Sequence, residues 1–159
     1  MKPNLLRQRL ASGRVAVGHM IMEFSTRGLA KIVEAAGVDF VLLDMEHSGM
    51  ELERVADMIA WLKATPVAPT VRVPAKQYHF IARALDAGAL GIMAPNVETL
   101  EEAQTVVGAV KYGPEGHRGL GLGTAHNDYV PPPPAAYLQE ANANTTVICQ
   151  IESERGLEN

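Results

Sequence analysis

The stretch Asp44-Met-Glu-His47 places two carboxylates and an imidazole within four residues, directly after the apolar run Phe40-Val-Leu-Leu43. A histidine held by a neighbouring carboxylate is an ordinary general base, because its unperturbed pKa of ~6.5 lies near working pH. The competing reading is a strand end whose charges are simply solvated. A second candidate is the pair Gln150 and Glu152, two apart on the apolar run Thr146-Val-Ile-Cys-Gln-Ile-Glu152. On a strand they would share one face. A glutamate facing a protein interior needs a cation, either a hard divalent metal such as Mg²⁺ or Mn²⁺ or a structural ion pair with an arginine such as Arg72. Zinc fits poorly, since Cys and His ligands are not clustered. Arg72 sits in Val71-Arg-Val-Pro74, where its planar fork suits a substrate carboxylate as well as a protein one. No lysine is well placed for a Schiff base: Lys31, Lys63 and Lys111 fall on helices or helix ends, and Lys76 just past a strand.

The elements that must position these residues alternate short apolar runs with amphipathic stretches. Val15–Met22 and Phe40–Glu46 read as strands. Between them Leu29, Ile32, Val33 and Ala36 form a helical face that Gly37 closes. Ser48 and Glu51 have capping-box spacing ahead of the stripe Leu52, Val55, Ile59 and Leu62. Thr70–Val73 is a third strand, 78–87 a helix stopped by Gly88, and Gly91–Ala94 a fourth strand. Thr99 and Glu102 repeat the capping box before Leu100, Ala103, Val107 and Val110. A long glycine-rich loop from Tyr112 and a polyproline step, Pro131–Pro134, interrupt the rhythm before a short helix over 135–141 and the strand 146–152.

Strands separated by single helices imply a parallel sheet with βαβ crossovers. A closed barrel is favoured over a doubly wound sheet because polar residues recur where strands end: Glu23, Asp44 with Glu46 and His47, Arg72, Asn96 and Glu152. In a (β/α)₈ barrel those ends ring one pocket. The glycine-rich phosphate turn expected after the first strand of a dinucleotide fold is also missing. The predicted fold is therefore an α/β TIM barrel of which residues 1–159 supply about five β/α units as one partial domain. Five strands leave two open edges, so the sequence is expected to be incomplete relative to its fold.

Composition narrows the function classes. Hydrophobic residues make up 47% and charged residues 20%, a globular balance. A net charge of −4 with no basic run argues against nucleic acid as a partner. No apolar run approaches the ~20 residues that span a bilayer. The lone Cys149 fits a reducing compartment, and the cytoplasm is the expected location.

Taken in order, Phe40-Val-Leu-Leu-Asp-Met-Glu-His47, Val71-Arg-Val-Pro74, Asp86-Ala-Gly-Ala-Leu-Gly-Ile-Met-Ala-Pro95, Tyr112-Gly-Pro-Glu-Gly-His-Arg-Gly119 and Ile148-Cys-Gln-Ile-Glu152 resemble the successive motifs of the HpcH/HpaI class II aldolases. These are also called 4-hydroxy-2-oxoheptanedioate aldolases. The resemblance implies a (β/α)₈ barrel assembled as a homo-hexamer, and a divalent metal (Mg²⁺, Mn²⁺ or Co²⁺) that binds the carboxylate and keto oxygens of pyruvate. It implies a reaction between pyruvate, as its enolate, and an aldehyde. By matching positions, Glu152 is implied as a metal ligand, and Arg72 as the contact to the keto oxygen that stabilises the enolate. His47 is implied as the base, acting directly or through water, with Asp44 orienting it. Asp86 matches an acidic position near the histidine of a neighbouring subunit, and Gln150 lies in the same pocket. The second protein metal ligand of the family is an Asp on a sixth strand, beyond this sequence. Two other readings stand beside this one: a citrate-lyase-β-like acyl-CoA lyase on the same barrel, and a non-catalytic fragment.

Overall fold

A computed structural model describes all 159 residues. Helix α1 (Leu5–Ala11) precedes β1 (Gly18–Ile21), α2 (Leu29–Ala35), β2 (Phe40–Asp44), α3 (Leu52–Leu62), β3 (Ala68–Arg72), α4 (Tyr78–Ala87), β4 (Gly91–Ala94), α5 (Leu100–Val110), a 3₁₀ turn (Ala125–Asn127), α6 (Pro134–Asn144), β5 (Thr146–Cys149) and α7 (Glu154–Glu158). All four strand pairings are parallel, in the order β1-β2-β3-β4-β5. A doubly wound sheet reverses its strand order at a switch point; here each strand joins the preceding one without reversal. With right-handed crossovers that order puts the crossover helices α2 to α5 on one side of the sheet, and α2 packs on α3, α3 on α4, and α4 on α5. The architecture is that of a partial (β/α)₈ barrel. None of its helices is long and apolar enough to cross a membrane.

Period-2 alternation sorts the strand residues. Val41, Leu43, Val71 and Ile92 are fully buried against Val55, Ile59, Leu62, Ile81, Leu85 and Val106 of the helices. Their neighbours Phe40, Leu42 and Asp44 turn to the barrel side, as do Ala68, Thr70 and Arg72 of β3 in matching register. Phe40 lies over Gly18, where a Cβ would meet its ring at 2.3 Å. At the strand N-terminal end Phe40 packs with Leu6, Ala68 and Leu90, so α1 plugs the bottom of the barrel.

Several local expectations are met and others are corrected. Thr99 caps α5, accepting the N–H of Glu102 at 3.2 Å. The Glu102 carboxylate reaches back to Glu98 N at 2.8 Å, one residue beyond the N-cap amide of the reciprocal capping-box bond. The box expected at Ser48 and Glu51 does not form. Glu51 is the N-cap of α3 without a side-chain bond, while Ser48 Oγ donates to Asp44 O and accepts from Met50 N. Ser48 thus closes the loop after β2. Strand β5 stops at Cys149, so Gln150 and Glu152 belong to the connection after it. Helix α1 was not expected at all.

Asn4 fastens that helix to the barrel. Its Oδ1 caps α1 through Arg7 N, and its buried Nδ2 is shared among Leu90 O and Asn144 O at 2.8 Å each and Thr146 Oγ1 at 3.1 Å. Asn4→Ala leaves those buried acceptors unsatisfied, which costs about 1–3 kcal/mol. Urea unfolding should show this loss, whereas Gln8→Ala on the exposed face of α1 should stay within about 0.5 kcal/mol.

Candidate active site

Asp44 ends β2, Arg72 ends β3, and the parallel register sets them side by side. Arg72 Nε and Nη2 donate to Asp44 Oδ1 and Oδ2 at 2.8 and 2.7 Å, a bidentate fork. Oδ1 also accepts the main-chain N–H of Glu46 at 2.9 Å and of His47 at 3.4 Å. The Asp44 side chain is 0% exposed and that of Arg72 9%. Burial works to raise the Asp44 pKa, but the Arg72 fork and the two loop amides outweigh it and hold the carboxyl below its ordinary value. The hydrogen bonds to Asp44 raise the Arg72 pKa against the opposing effect of burial, with further Coulombic support from Asp44, Glu46 and Glu152.

Glu46 and His47 occupy the loop that this pair anchors. Glu46 is 13% exposed; its Oε2 lies 3.4 Å from Arg72 Nε and is buried without a hydrogen bond. Its Oε1 lies 3.6 Å from His47 Nε2, and the His47 side chain is 65% exposed. Asp44 therefore reaches His47 only through its main chain, and the carboxylate beside the imidazole belongs to Glu46. Glu23 stands on the flank of this loop, lining an open cleft of about 500 Å³ with Gly49, Met50 and Arg54.

Across the barrel mouth, Glu152 Oε1 accepts the N–H of Asn96 at 2.9 Å and Oε2 accepts from Gln150 Nε2. Asn96 has φ +52°, a left-handed conformation that asparagine tolerates better than most residues. That turn at the end of β4 aims its amide at Glu152. Glu152 makes no direct ion pair with Arg72, although its charge acts on it. Gln150 Oε1 is buried without a partner.

These donors suit a hard cation in kind. Glu152 keeps lone pairs beyond its two hydrogen bonds, the orphaned Gln150 Oε1 adds a neutral oxygen, and no sulfur or imidazole competes. No three His, Cys, Asp or Glu side chains gather as a complete ligand group. Glu152 is the carboxylate that would hold a divalent ion here, with Gln150 beside it.

Asp86 lies elsewhere in this chain. It sits in the last turn of α4, which runs back toward the strand N-terminal ends, and pairs with Arg118 at 2.6 Å. Its main-chain oxygen contacts His126 Nδ1 at 3.3 Å. The structure thus brings Asp44, Arg72, Glu46 and His47 together, sets Glu152, bonded to Gln150, within electrostatic reach of Arg72, and keeps Asp86 apart. The position of Glu46 was legible in the sequence as part of the acidic cluster; that it, and not Asp44, meets the imidazole was not.

Comparison with known proteins gives a consistent result. Residues 20–159 match the family described as HpcH/HpaI aldolase/citrate lyase. A curated 5-keto-4-deoxy-D-glucarate aldolase of Shigella sonnei is 34% identical over 157 residues, covering 99% of this chain and 60% of the relative. The crystal structure of an HpcH/HpaI aldolase from Desulfitobacterium hafniense superposes with a TM-score of 0.91 at 30% identity, covering 97% of this chain and 59% of that one. An HpcH/HpaI aldolase/citrate lyase family protein from Burkholderia cenocepacia gives 0.86 at 34% identity, covering 98% and 62%. The chain spans about 60% of the length of the curated relatives it matches.

The buried fork is the stability-bearing part of this site. Asp44→Ala strands the Arg72 charge and should lower stability by about 3–5 kcal/mol near pH 7, read from urea unfolding. Because the folded-state pKa of Asp44 is depressed, its contribution is present above the unfolded value of ~3.9 and is lost as pH falls through the lower folded value. The gap between wild type and variant should therefore close on acidification; a gap that persists unchanged to pH ~2 would contradict this linkage.

Proposed function

The chain belongs to the HpcH/HpaI aldolase/citrate lyase family, and from that premise we propose that its protein is a divalent-metal-dependent aldolase joining or separating pyruvate, as its enolate, and an aldehyde. The observation that carries this reading is the Arg72 fork. Two of the five N–H groups of the guanidinium are used on Asp44, leaving three on a group whose orientation is fixed by the pair. A cation so fixed at a strand C-terminal end is suited to an oxygen on which negative charge develops. The name of the Shigella sonnei relative supports the substrate class. A 5-keto-4-deoxyglucarate is, numbered from its keto end, a 2-oxo acid with a hydroxyl on carbon 4, the pattern that a retro-aldol step cleaves to pyruvate.

Each residue then has a task. Glu152 would hold the divalent ion, which would supply Lewis-acid stabilisation of the enolate, and Gln150 would bind substrate beside it. Arg72 donates to the keto oxygen and keeps the charge of the enolate in place. Asp44 fixes Arg72 and, through the amides of Glu46 and His47, the loop that bears the base. His47 takes the proton of the C4 hydroxyl in cleavage and returns it in synthesis. Asp86 acts from a neighbouring copy in a homo-oligomer, the hexamer that the resemblance implies. Residues 1–159 serve as one part of a single barrel domain located in the cytoplasm.

The tests are made on the intact protein. His47→Ala should lower kcat by ~10²–10⁴ while divalent-metal affinity hardly changes; activity within a few-fold of wild type would place the base elsewhere. Arg72→Lys keeps the charge but loses the planar fork. It should abolish exchange of the pyruvate methyl protons into D₂O, and normal exchange would reduce Arg72 to a structural partner of Asp44. EDTA should remove activity and Mg²⁺, Mn²⁺ or Co²⁺ restore it. Borohydride with pyruvate should leave the protein active, since an imine to a lysine would overturn the metal-dependent class. Cleavage of an acyl-CoA thioester in place of 4-hydroxy-2-oxo acids would favour the lyase reading instead.

A further inference from the structure

We propose that Glu46 is the positioning residue of His47: its carboxylate bridges the Arg72 guanidinium and the imidazole, holding the ring proton on Nε2 and leaving Nδ1 to exchange the substrate proton. The inference rests on the role of His47 as base given above.

Asp44 is engaged away from the ring. Its oxygens take the Arg72 fork and two loop amides, four N–H donors in all. Glu46 is the acidic side chain within 4 Å of the His47 ring, through Oε1 at 3.6 Å from Nε2. Its other oxygen is turned inward, 3.4 Å from Arg72 Nε and without a hydrogen bond. A carboxylate left in that state is costly as mere surface decoration, since a solvated rotamer is open to any side chain on a loop. Compensation by the Arg72 charge keeps it inward, and inward it points one oxygen at each of the two groups proposed to act on substrate. At 3.6 Å that contact is longer than a hydrogen bond, and it is the charge of the carboxylate that favours the proton on Nε2 of a neutral imidazole and leaves Nδ1 as the free base.

The proton inventory closes on this geometry. In cleavage the C4 hydroxyl loses its proton to Nδ1, the C3–C4 bonding pair passes into the pyruvate enolate, and the aldehyde leaves. His47 then carries protons on both nitrogens beside the Glu46 carboxylate, its counter-charge. The proton on Nδ1 later returns to the enolate carbon or to water.

Four variants of the intact protein and one spectrum decide the matter. The ¹⁵N spectrum of wild-type His47 at a pH where the ring is neutral should show the Nε2–H tautomer; the Nδ1–H tautomer overturns the proposal without any variant having to fold. Glu46→Gln should lower kcat about tenfold or more with KM changed by less than about threefold, and Glu46→Asp should recover part of the loss. The double variant Glu46→Gln/His47→Ala should be no slower than His47→Ala alone, because Glu46 acts through the ring. Wild-type kcat in Glu46→Gln, or a double variant slower by the full Glu46→Gln factor, overturns the positioning role while leaving His47 as base. If His47→Ala itself retains activity, it is the base assignment that has failed, and Glu46 has nothing to position.

Discussion

The buried fork between Asp44 and Arg72 is the constraint on which the rest of the barrel mouth depends. Two full charges removed from water repay their desolvation only when geometry is good and the remaining lone pairs are used. Here the register of β2 and β3 places the two side chains opposite each other, and both fork distances fall below 3 Å. The leftover capacity of Asp44 Oδ1 is filled by the amides of residues 46 and 47. One buried carboxylate therefore sets three things together: the seam between two strands, the direction of the guanidinium, and the path of the following loop. Ser48 completes the turn by bonding back to the Asp44 carbonyl.

That economy explains why part of the site was legible in the sequence. Asp44 ends an apolar run and Arg72 sits between two valines, and period-2 alternation sets each on the face opposite its apolar neighbours. The helices were legible for the same kind of reason, since the stripes Leu52, Val55, Ile59, Leu62 and Leu100, Ala103, Val107, Val110 are local patterns that tertiary packing reinforces. Val55 and Ile59 are indeed fully buried. Leu100 and Val107 are exposed while Val106, Ala109 and Val110 are buried, so the second stripe signals a helix but misplaces its inner face.

What escaped the sequence was settled by partners distant along the chain or by competition for one group. The Ser48 hydroxyl has cap chemistry, but the Asp44 carbonyl claimed it first, and the N-cap moved to Glu51. Helix α1 is short and weakly patterned; it exists because Asn4 finds acceptors at Leu90, Asn144 and Thr146, more than eighty residues away. Gln150 and Glu152 look like strand residues in an apolar run. Yet the amide of Gln150 makes the last ladder bond, to Ala94 O, its carbonyl accepts from Val97 in the loop after β4, and the strand ends at Cys149. Asp44 and Glu46 are equivalent as types near His47, and only the prior engagement of Asp44 with Arg72 leaves the imidazole to Glu46.

Buried polar atoms without partners occur at both ends of the sheet: Glu46 Oε2 and Gln150 Oε1 at the strand C-terminal ends, and Tyr112 Oη, Arg118 Nε, His126 Nε2 and Tyr137 Oη at the opposite one. At the opposite end the long segment after α5 ties elements together. Arg118 pairs with Asp86 and stacks over Tyr112 at 4.6 Å, while Asn142 bonds both the amide and the carbonyl of Tyr112. Lys63 at the end of α3 reaches Ala125 O and Asp128 across the same face. Barrels place conservative packing at this bottom face and chemistry at the top, and Asp86 stands on the stabilising side of that division within its own chain. Its side chain is 42% exposed and bonded to the buried Arg118, beside the His126 ring of the same chain. The same arginine that anchors Asp86 thus fixes its direction, as Asp44 does for Arg72 at the other end.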